Sequence, residues 1–513
     1  MKRIVIIGGG PAGLTAAFEL LNNRGNEVFD VTLLEAGDCL GGISRTVAHG
    51  GCRMDLGGHR FFSKDERIMA WWSALMPVQG KPSFDDKLLG RSKPLSVGGG
   101  DPEKEDNVML VRNRLSRIYY RGKFFDYPVK LSPATLSNMG LLTTARAGLS
   151  YICACLHKLP ETNLENFYIN RFGRVLYSMF FECYTEKLWG IHPRDISADW
   201  GAQRVKGLSI TAVIKDMFRK LIGLKNNGNT ETSLIEQFWY PKYGPGQMWE
   251  LVGDKIRELG GKIRFGCAVK SVKTEGGRII SVTCENGETF EGDEFISSMP
   301  IKDLVCGMEA PIEIRSAARA LPYREFVTVG LLVNKLRLKN ETKIPTLGDI
   351  VPDCWIYVQD KGVKLGRIQI FNNWSPYLVK DPANTVWIGL EYFCREGDGF
   401  WSMTDGQTVR FAVRELRKMG LIGSRSVLDS HVERVKKAYP AYFGSYSEFG
   451  SIREFLDGFE NLRCVGRNGQ HRYNNMDHSM LTAMLAADAI KNGIKDRSGI
   501  WNVNTEKAYH EQK

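Results

Sequence analysis

Residues 3–13 read RIVIIGGGPAG, and LTAAFELL follows directly. A short apolar run rich in β-branched residues, ended by glycine, reads as a parallel strand buried on both faces. The residues after Gly13 then change to helical period. Between a strand and a helix, G-x-G-x-x-G constrains the fold strongly. Gly8 permits the tight turn, Gly10 lets the backbone approach a pyrophosphate, and Gly13 lets the helix pack closely on the strand. Pro11 and Ala12 complete the motif, where the positive end of the helix faces the phosphates. A second strand, DVTLLE, ends at Glu35, 22 residues past Gly13. An acid at that distance is placed to accept ribose hydroxyls. These features predict an α/β dinucleotide-binding domain of Rossmann type.

Two glycine pairs follow. AGDCLGGISRT contains Gly41, Gly42 and Arg45, and MDLGGHRFF contains Asp55, Gly57, Gly58 and His59. Paired glycines imply backbone brought close to something flat or bulky. This succession resembles the glutathione-reductase-type FAD fold of amine oxidases, protoporphyrinogen oxidase and UDP-galactopyranose mutase. The resemblance implies FAD as cofactor, with the second glycine pair beside the isoalloxazine and His59 near its N5.

At 513 residues the chain exceeds one simple core, so two or three subdomains are expected. From about Ser132 to Lys225 the period is helical. From Gly260 to Pro300 it alternates, with EGG and ENG marking hairpins. That stretch resembles the second FAD segment of the same fold, which would place the strand around Val269 beside the adenine. FVTVGLLV and TVWIGLEYF read as strands of a mixed substrate-domain sheet. The expected organisation is a discontinuous FAD domain from 1–70, 235–305 and 450–513, a helical insertion at 130–234, and a substrate sheet from 71–129 and 306–449.

The eleven cysteines include no C-x-x-C, so neither a disulfide framework nor a metal site is expected, and a reducing, cytoplasmic setting fits. Net charge is +11. A basic chain suits anionic partners, but no nucleic-acid motif is present. GLLTTARAGLSYICACL (Gly140–Leu156) contains Arg146 and falls short of a span of ~20 residues. IKDMFRKLIGLK (Ile214–Lys225) is basic and amphipathic, suited to a solvated helix face or to peripheral membrane contact.

Near the other end, GRNGQHRYNNMDHSM runs from Gly466 to Met480. A strand, ENLRCVG, delivers Gly466 and Arg467 to a polar loop. DHSMLTAMLAADAIKNG then reads as a helix beginning near Asp477, just after Met476, with Asp477 or Asn475 as its N-cap and Gly493 at its stop. Aimed at the flavin, that helix N-terminus and Arg467 would favour an anionic reduced ring. The pattern GRxGxxRYxNxDHS resembles the C-terminal signature of the long, eukaryotic-type UDP-galactopyranose mutases. DLGGHRFFS, YRGKFFDYP, YTEKLWGIHP…WGAQRV, DCWIYVQDKGVKLGRIQIFNNWSP and KAYPAY resemble other stretches of that family, in the same order.

The resemblance implies a nucleotide-sugar mutase of surface-polysaccharide biosynthesis, isomerising pyranose and furanose forms through reduced flavin N5. Arg204 and Arg367 would clamp the diphosphate, and Tyr357, Tyr439 and Tyr473 would donate hydrogen bonds to it. Arginine's planar fork suits that group. An external reductant such as NAD(P)H would keep the flavin reduced. The chain departs from the family pattern at Val129-Lys130, on the nucleotide-base side, and at Lys64, which stands where a second histidine is usual. The helical and C-terminal stretches also resemble bacterial protoporphyrinogen-oxidase-like and amine-oxidase-like flavoproteins. An FAD-dependent oxidoreductase is therefore the alternative.

Overall fold

A computed structural model describes residues 1–22, 28–127, 129, 132–198 and 237–504. Arg204, Lys130 and the Ile214–Lys225 stretch lie outside the described residues. The rest clusters into two units. One comprises the described parts of Met1–Val111, Trp239–Glu325 and Val435–Thr505; the other, those of Arg112–Phe238 and Phe326–Arg434. The expected sheet segments are divided at Val111, Glu325 and Arg434, and the helical segment clusters with the second unit's sheet.

In the first unit, β1 (Lys2–Ile7) leads through the glycine turn to α1 (Pro11–Leu21) and β2 (Phe29–Leu34). β3 (Lys262–Arg264), β4 (Glu294–Ser297), β5 (Leu462–Cys464) and α2 (Met476–Lys491) come from later segments. The sheet order is β5-β4-β1-β2-β3, and every pairing is parallel. The period of two explains why β1 is apolar on both sides. Ile4 and Ile6 join a core with Ala16, Ala17, Ala483, Ala486 and Ala487 of α1 and α2. Val5 and Ile7 join another with Leu34, Val272, Ile301 and Leu304. The alanines let the two helices approach closely. The hairpin Val269–Glu275 and Arg278–Cys284 turns at Gly276 and Gly277, both with positive φ, as EGG predicts.

Most of a seven-stranded mixed sheet falls in the second unit. Its order is Val427–Pro440, Tyr323–Val333, Val386–Cys394, Arg367–Ile370, Trp355–Val358, Ser116–Tyr120 and Lys123–Asp126. Trp355–Val358 pairs antiparallel with Arg367–Ile370 and parallel with Ser116–Tyr120. Val327, Val329, Ile356, Ile368, Ile388 and Leu390 pack with Ala412 and Leu416 of the Asp405–Lys418 helix. Helices Pro133–Met139, Leu141–Leu156 and Leu164–Tyr177 belong to the same unit. Ser132 and Asn163 cap the first and third, accepting from Thr135 N and Asn166 N at 3.2 and 2.9 Å.

Candidate active site

The turn after β1 is packed to the limit of its backbone. Gly8 N donates to Leu34 O at 2.8 Å, joining the ends of β1 and β2. A Cβ at Gly13 would lie 1.9 Å from Gly8 O, so α1 can start here only as glycine. Gly10 is different. A Cβ there would meet Gly42 Cα at 3.9 Å, an ordinary contact. The protein alone does not demand glycine at that point. Gly41 N donates to Gly9 O at 2.9 Å, and Gly42 adopts φ +53° opposite Gly10. Arg45 closes the Gly42–Ser44 turn, its amide donating to Gly42 O at 3.3 Å. Two glycine loops and the first turn of α1 therefore wall a cradle of bare backbone, which added Cβ atoms would fill. That arrangement fits a dinucleotide pyrophosphate.

Glu35 ends β2 beside this cradle. Its Oε2 accepts from Gly9 N at 2.7 Å and its Oε1 from Gly37 N at 2.8 Å. Cys267 N donates to Glu35 O and Gly266 N to Gly37 O, both at 2.9 Å. These bonds bring the segment just before Val269 alongside the carboxylate.

The second glycine pair stands on a buried polar support. Gly57 takes φ +101°, Gly58 follows, and His59 Nε2 lies 3.1 Å from Leu56 O. A carbonyl can only accept, so Nε2 carries the ring proton. Just before the turn, fully buried Asp55 accepts from Thr46 Oγ1 at 2.9 Å and from the Tyr240 hydroxyl. Burial outweighs these two hydrogen bonds and pushes its carboxyl up to about 7. Thr46 Oγ1 also accepts from Gly246 N at 3.0 Å.

The C-terminal loop meets the N-terminal turn, where a Cβ on Gly466 would lie 2.9 Å from Ala12 Cβ. Gly466 N donates to Thr482 Oγ1 at 2.9 Å, fixing the loop on α2. The N-cap is Asn475, with Met476 as the first helical residue, and Asp477 lies in the first turn. Asn475 N donates to His478 Nδ1 at 3.3 Å. Ser63 Oγ donates to Asp477 Oδ2 at 3.1 Å, which ties the His59 segment to the same helix end.

Arg467 donates to Asn474 O and Ala438 O at 2.8 and 3.2 Å. Its guanidinium lies 4.8 Å from the centre of the Tyr473 ring and 5.7 Å from that of Tyr439. Those two rings are nearly parallel, 5.5 Å apart. His471 is buried at φ +44°, with Nε2 3.1 Å from Ala441 O. Burial lowers its pKa to about 4.

Tyr357 and Arg367 belong to the second unit. The ten-residue spacing between them is a hairpin: Tyr357 pairs with Arg367 across two antiparallel strands, and Arg367 pairs with Glu391 across the next two. Three directly opposed residues share one face of the sheet. Arg367 Nη2 lies 2.5 Å from Glu391 Oε2, and Gln369 Nε2 donates to Glu391 Oε1 at 2.9 Å. Burial raises the Glu391 pKa, although Arg367 opposes it. The guanidinium lies 4.7 Å from the Trp355 ring centre and 4.8 Å from that of Phe393. Tyr357 has Tyr127, Tyr184 and Trp355 around it, with centroids at 4.5, 5.3 and 5.8 Å. From sequence, Asp55 stands out only as part of the second glycine-pair segment, with no role of its own, and Tyr240, Trp355 and Glu391 do not stand out at all. For Glu391 a signal existed: one acid inside the apolar strand TVWIGLEYF.

Residues 233–491 match the family described as flavin-containing amine oxidoreductase, and residues 6–75 match an NAD(P)-binding Rossmann-like domain. Over 65 residues the chain is 43% identical to coproporphyrinogen III oxidase of Mycobacterium leprae (strain TN), which is 13% of this chain and 14% of that relative's length. The fold is similar to that of a reduced UDP-galactopyranose mutase, with TM-score 0.74, 20% identity, and 99% and 100% of the two chains covered. It is also similar to a protoporphyrinogen-oxidase-like protein of Exiguobacterium sp. 255-15, with TM-score 0.65, 16% identity, and 96% and 99% covered.

Proposed function

This chain belongs to the flavin-containing amine oxidoreductase family, and on that premise we propose that it is a nucleotide-sugar mutase. FAD is its cofactor, and it is a flavin-dependent enzyme, an oxidoreductase or a mutase. When bound and reduced, FAD would supply the nucleophilic nitrogen and the electron pair that sugar isomerisation needs.

In this reading the chain's own residues hold, orient and charge-balance the reactants. Gly8, Gly10, Pro11, Ala12, Gly13, Gly41 and Gly42 would hold the pyrophosphate, with Arg45 beside it. Glu35 would accept from the ribose, Val269 would line the adenine, and Gly57, Gly58 and His59 would border the ring. Gly466, Arg467, Asn475, Met476 and Asp477 would face its other edge. Tyr357 and Arg367 would bind the sugar diphosphate, and Tyr439, Tyr473 and Arg204 keep the same proposed role from sequence alone. Preorganised donors of this type are each worth roughly 2–4 kcal/mol of transition-state stabilisation.

The observation that carries the proposal is the Tyr357–Arg367 pair, a fixed cation beside a tyrosine, surrounded by aromatic rings. Aromatic surface and a planar cation are what a nucleoside diphosphate requires. NAD(P)H would serve as external reductant, and surface-polysaccharide synthesis would consume the product. Arg367→Ala and Arg204→Ala should weaken nucleotide-sugar binding and leave flavin absorbance intact. Glu35→Ala should loosen FAD first. Loss of flavin from an arginine variant would reassign that arginine to the cofactor.

A second reading has its own support. The Arg367–Glu391 pair cancels charge locally, which suits an uncharged or cationic organic substrate. Under that reading the chain is an FAD-dependent oxidoreductase, active with oxidised flavin and oxygen.

A further inference from the structure

The helix Leu141–Leu156 is inside out for a protein surface. A surface helix ordinarily turns its charged side to water and its apolar stripe to the core. Here Ala147 and Ala154 are buried, on the side where Gly173 packs against the backbone of Ser150 and Tyr151. At 100° per residue, the opposite arc runs from Cys155 through Gly148, Leu141, Ile152, Ala145, Leu156, Leu149 and Leu142 to Cys153. Its five large side chains, Leu141, Leu142, Leu149, Ile152 and Leu156, are between 54% and 93% exposed. Isolated exposed leucines are ordinary, but a contiguous arc of this width marks an interaction surface.

Three observations identify the occupant. First, among the described residues no single helix is long and apolar enough to cross a membrane. This helix and Pro133–Met139 reach membrane-span hydropathy together, but they meet at a bend of 106°. Such a pair suits the plane of a bilayer better than a crossing. Second, Arg146 is exposed on the rim of the arc, and Ser132 to Lys158 contains no Asp or Glu, in a chain of net charge +11. Third, a two-fold contact with another copy would lay this patch on itself. A patch whose only charges are positive gains no counter-charge that way, whereas anionic headgroups supply one.

We propose that the Leu141–Leu156 helix seats this enzyme on an anionic lipid surface, its apolar arc sunk to the headgroup–acyl boundary. Binding would scale with buried apolar area plus electrostatic attraction.

The test is sedimentation of the flavin-loaded, full-length protein with vesicles of phosphatidylglycerol and phosphatidylcholine, and with phosphatidylcholine alone. The wild type should sediment with the anionic vesicles. Leu149→Glu/Ile152→Glu should bind about tenfold more weakly or worse, while keeping its flavin absorbance. If that variant fails to fold, Leu149→Ser/Ile152→Ser carries the same comparison. Arg146→Glu should weaken binding at low salt and match the wild type at high salt, because screening removes the headgroup attraction. Three outcomes would overturn the proposal: no sedimentation with either vesicle, equal binding by the double variant, or a wild-type oligomer that the double variant converts to a monomer, which would show that a second copy covers the arc.

Discussion

Asp55 gives a sharp prediction because it is buried, chemically simple and placed at the foot of the Gly57–His59 turn. Its carboxyl rises from an ordinary 3.8 to about 7 on folding. Between those values the folded chain keeps a proton that the unfolded chain has lost. Stability therefore falls as pH rises through this window, at about 1.4 kcal/mol per pH unit. Across the roughly three units involved, the cost approaches ~4 kcal/mol at neutral pH. Asp55→Asn removes the titration and keeps an amide that can meet Thr46 and Tyr240. His471 works in the opposite sense. Its pKa is lowered to about 4, so the stability it contributes is present above its ordinary 6.5 and is lost as pH falls. The two slopes oppose each other between about pH 4 and 6.5, so the wild-type curve alone is uninformative. The assay is urea unfolding of wild type and Asp55→Asn from pH 5 to 8, read as the difference between them. Asp55→Asn should gain stability relative to wild type by about 3 kcal/mol between pH 5 and 7, then level off. Parallel curves would refute the buried, protonated Asp55.

The remaining expectations concern the two groups of site residues. Gly13→Ala should cost at least ~1–3 kcal/mol and abolish flavin retention, measured by absorbance after desalting, because its Cβ would overlap Gly8 O. Arg367→Ala should cost about 3–5 kcal/mol by leaving Glu391 buried without its cation, and Arg367→Ala/Glu391→Gln should recover part of that loss in a double-mutant cycle. His471→Gln should flatten the loss of stability on acidification from pH 6.5 towards 4, seen in the same urea series. Arg467→Ala should make flavin reduction harder, read as a lower midpoint potential across pH; coincident curves would reduce the loop to a structural cap.

Much of the site's framework was legible because local chemistry dictates it. The turn at Gly8–Gly13 follows from backbone sterics, and α2 follows from an Asn cap ahead of an alanine-rich helical run. The Tyr357–Arg367 pair was marked by the family resemblance alone, and that the two stand opposite each other in a hairpin follows from the strand pairing. What was hidden depends on strand order and long-range partners. Glu391 reaches Arg367 only because a third strand lies beside the hairpin. Asp55 meets Tyr240 across 185 residues, which no local pattern encodes. Glu35, read as a ribose acceptor, also receives two backbone amides of its own loops. The Leu141–Leu156 run was read by its length, which excluded a span. Its outward orientation emerges only once Gly173 packs on its other side.

The central claim is that reduced flavin and a clamped diphosphate act together on a sugar. The direct measurement is to reduce the purified protein with dithionite, incubate it anaerobically with a panel of nucleotide sugars, and resolve pyranose from furanose products. The reduced protein should interconvert at least one nucleotide sugar, the oxidised protein none, and Arg367→Ala should lose most of the activity. Turnover confined to oxidised flavin with oxygen, on a substrate lacking a diphosphate, would contradict that claim and establish the oxidoreductase reading.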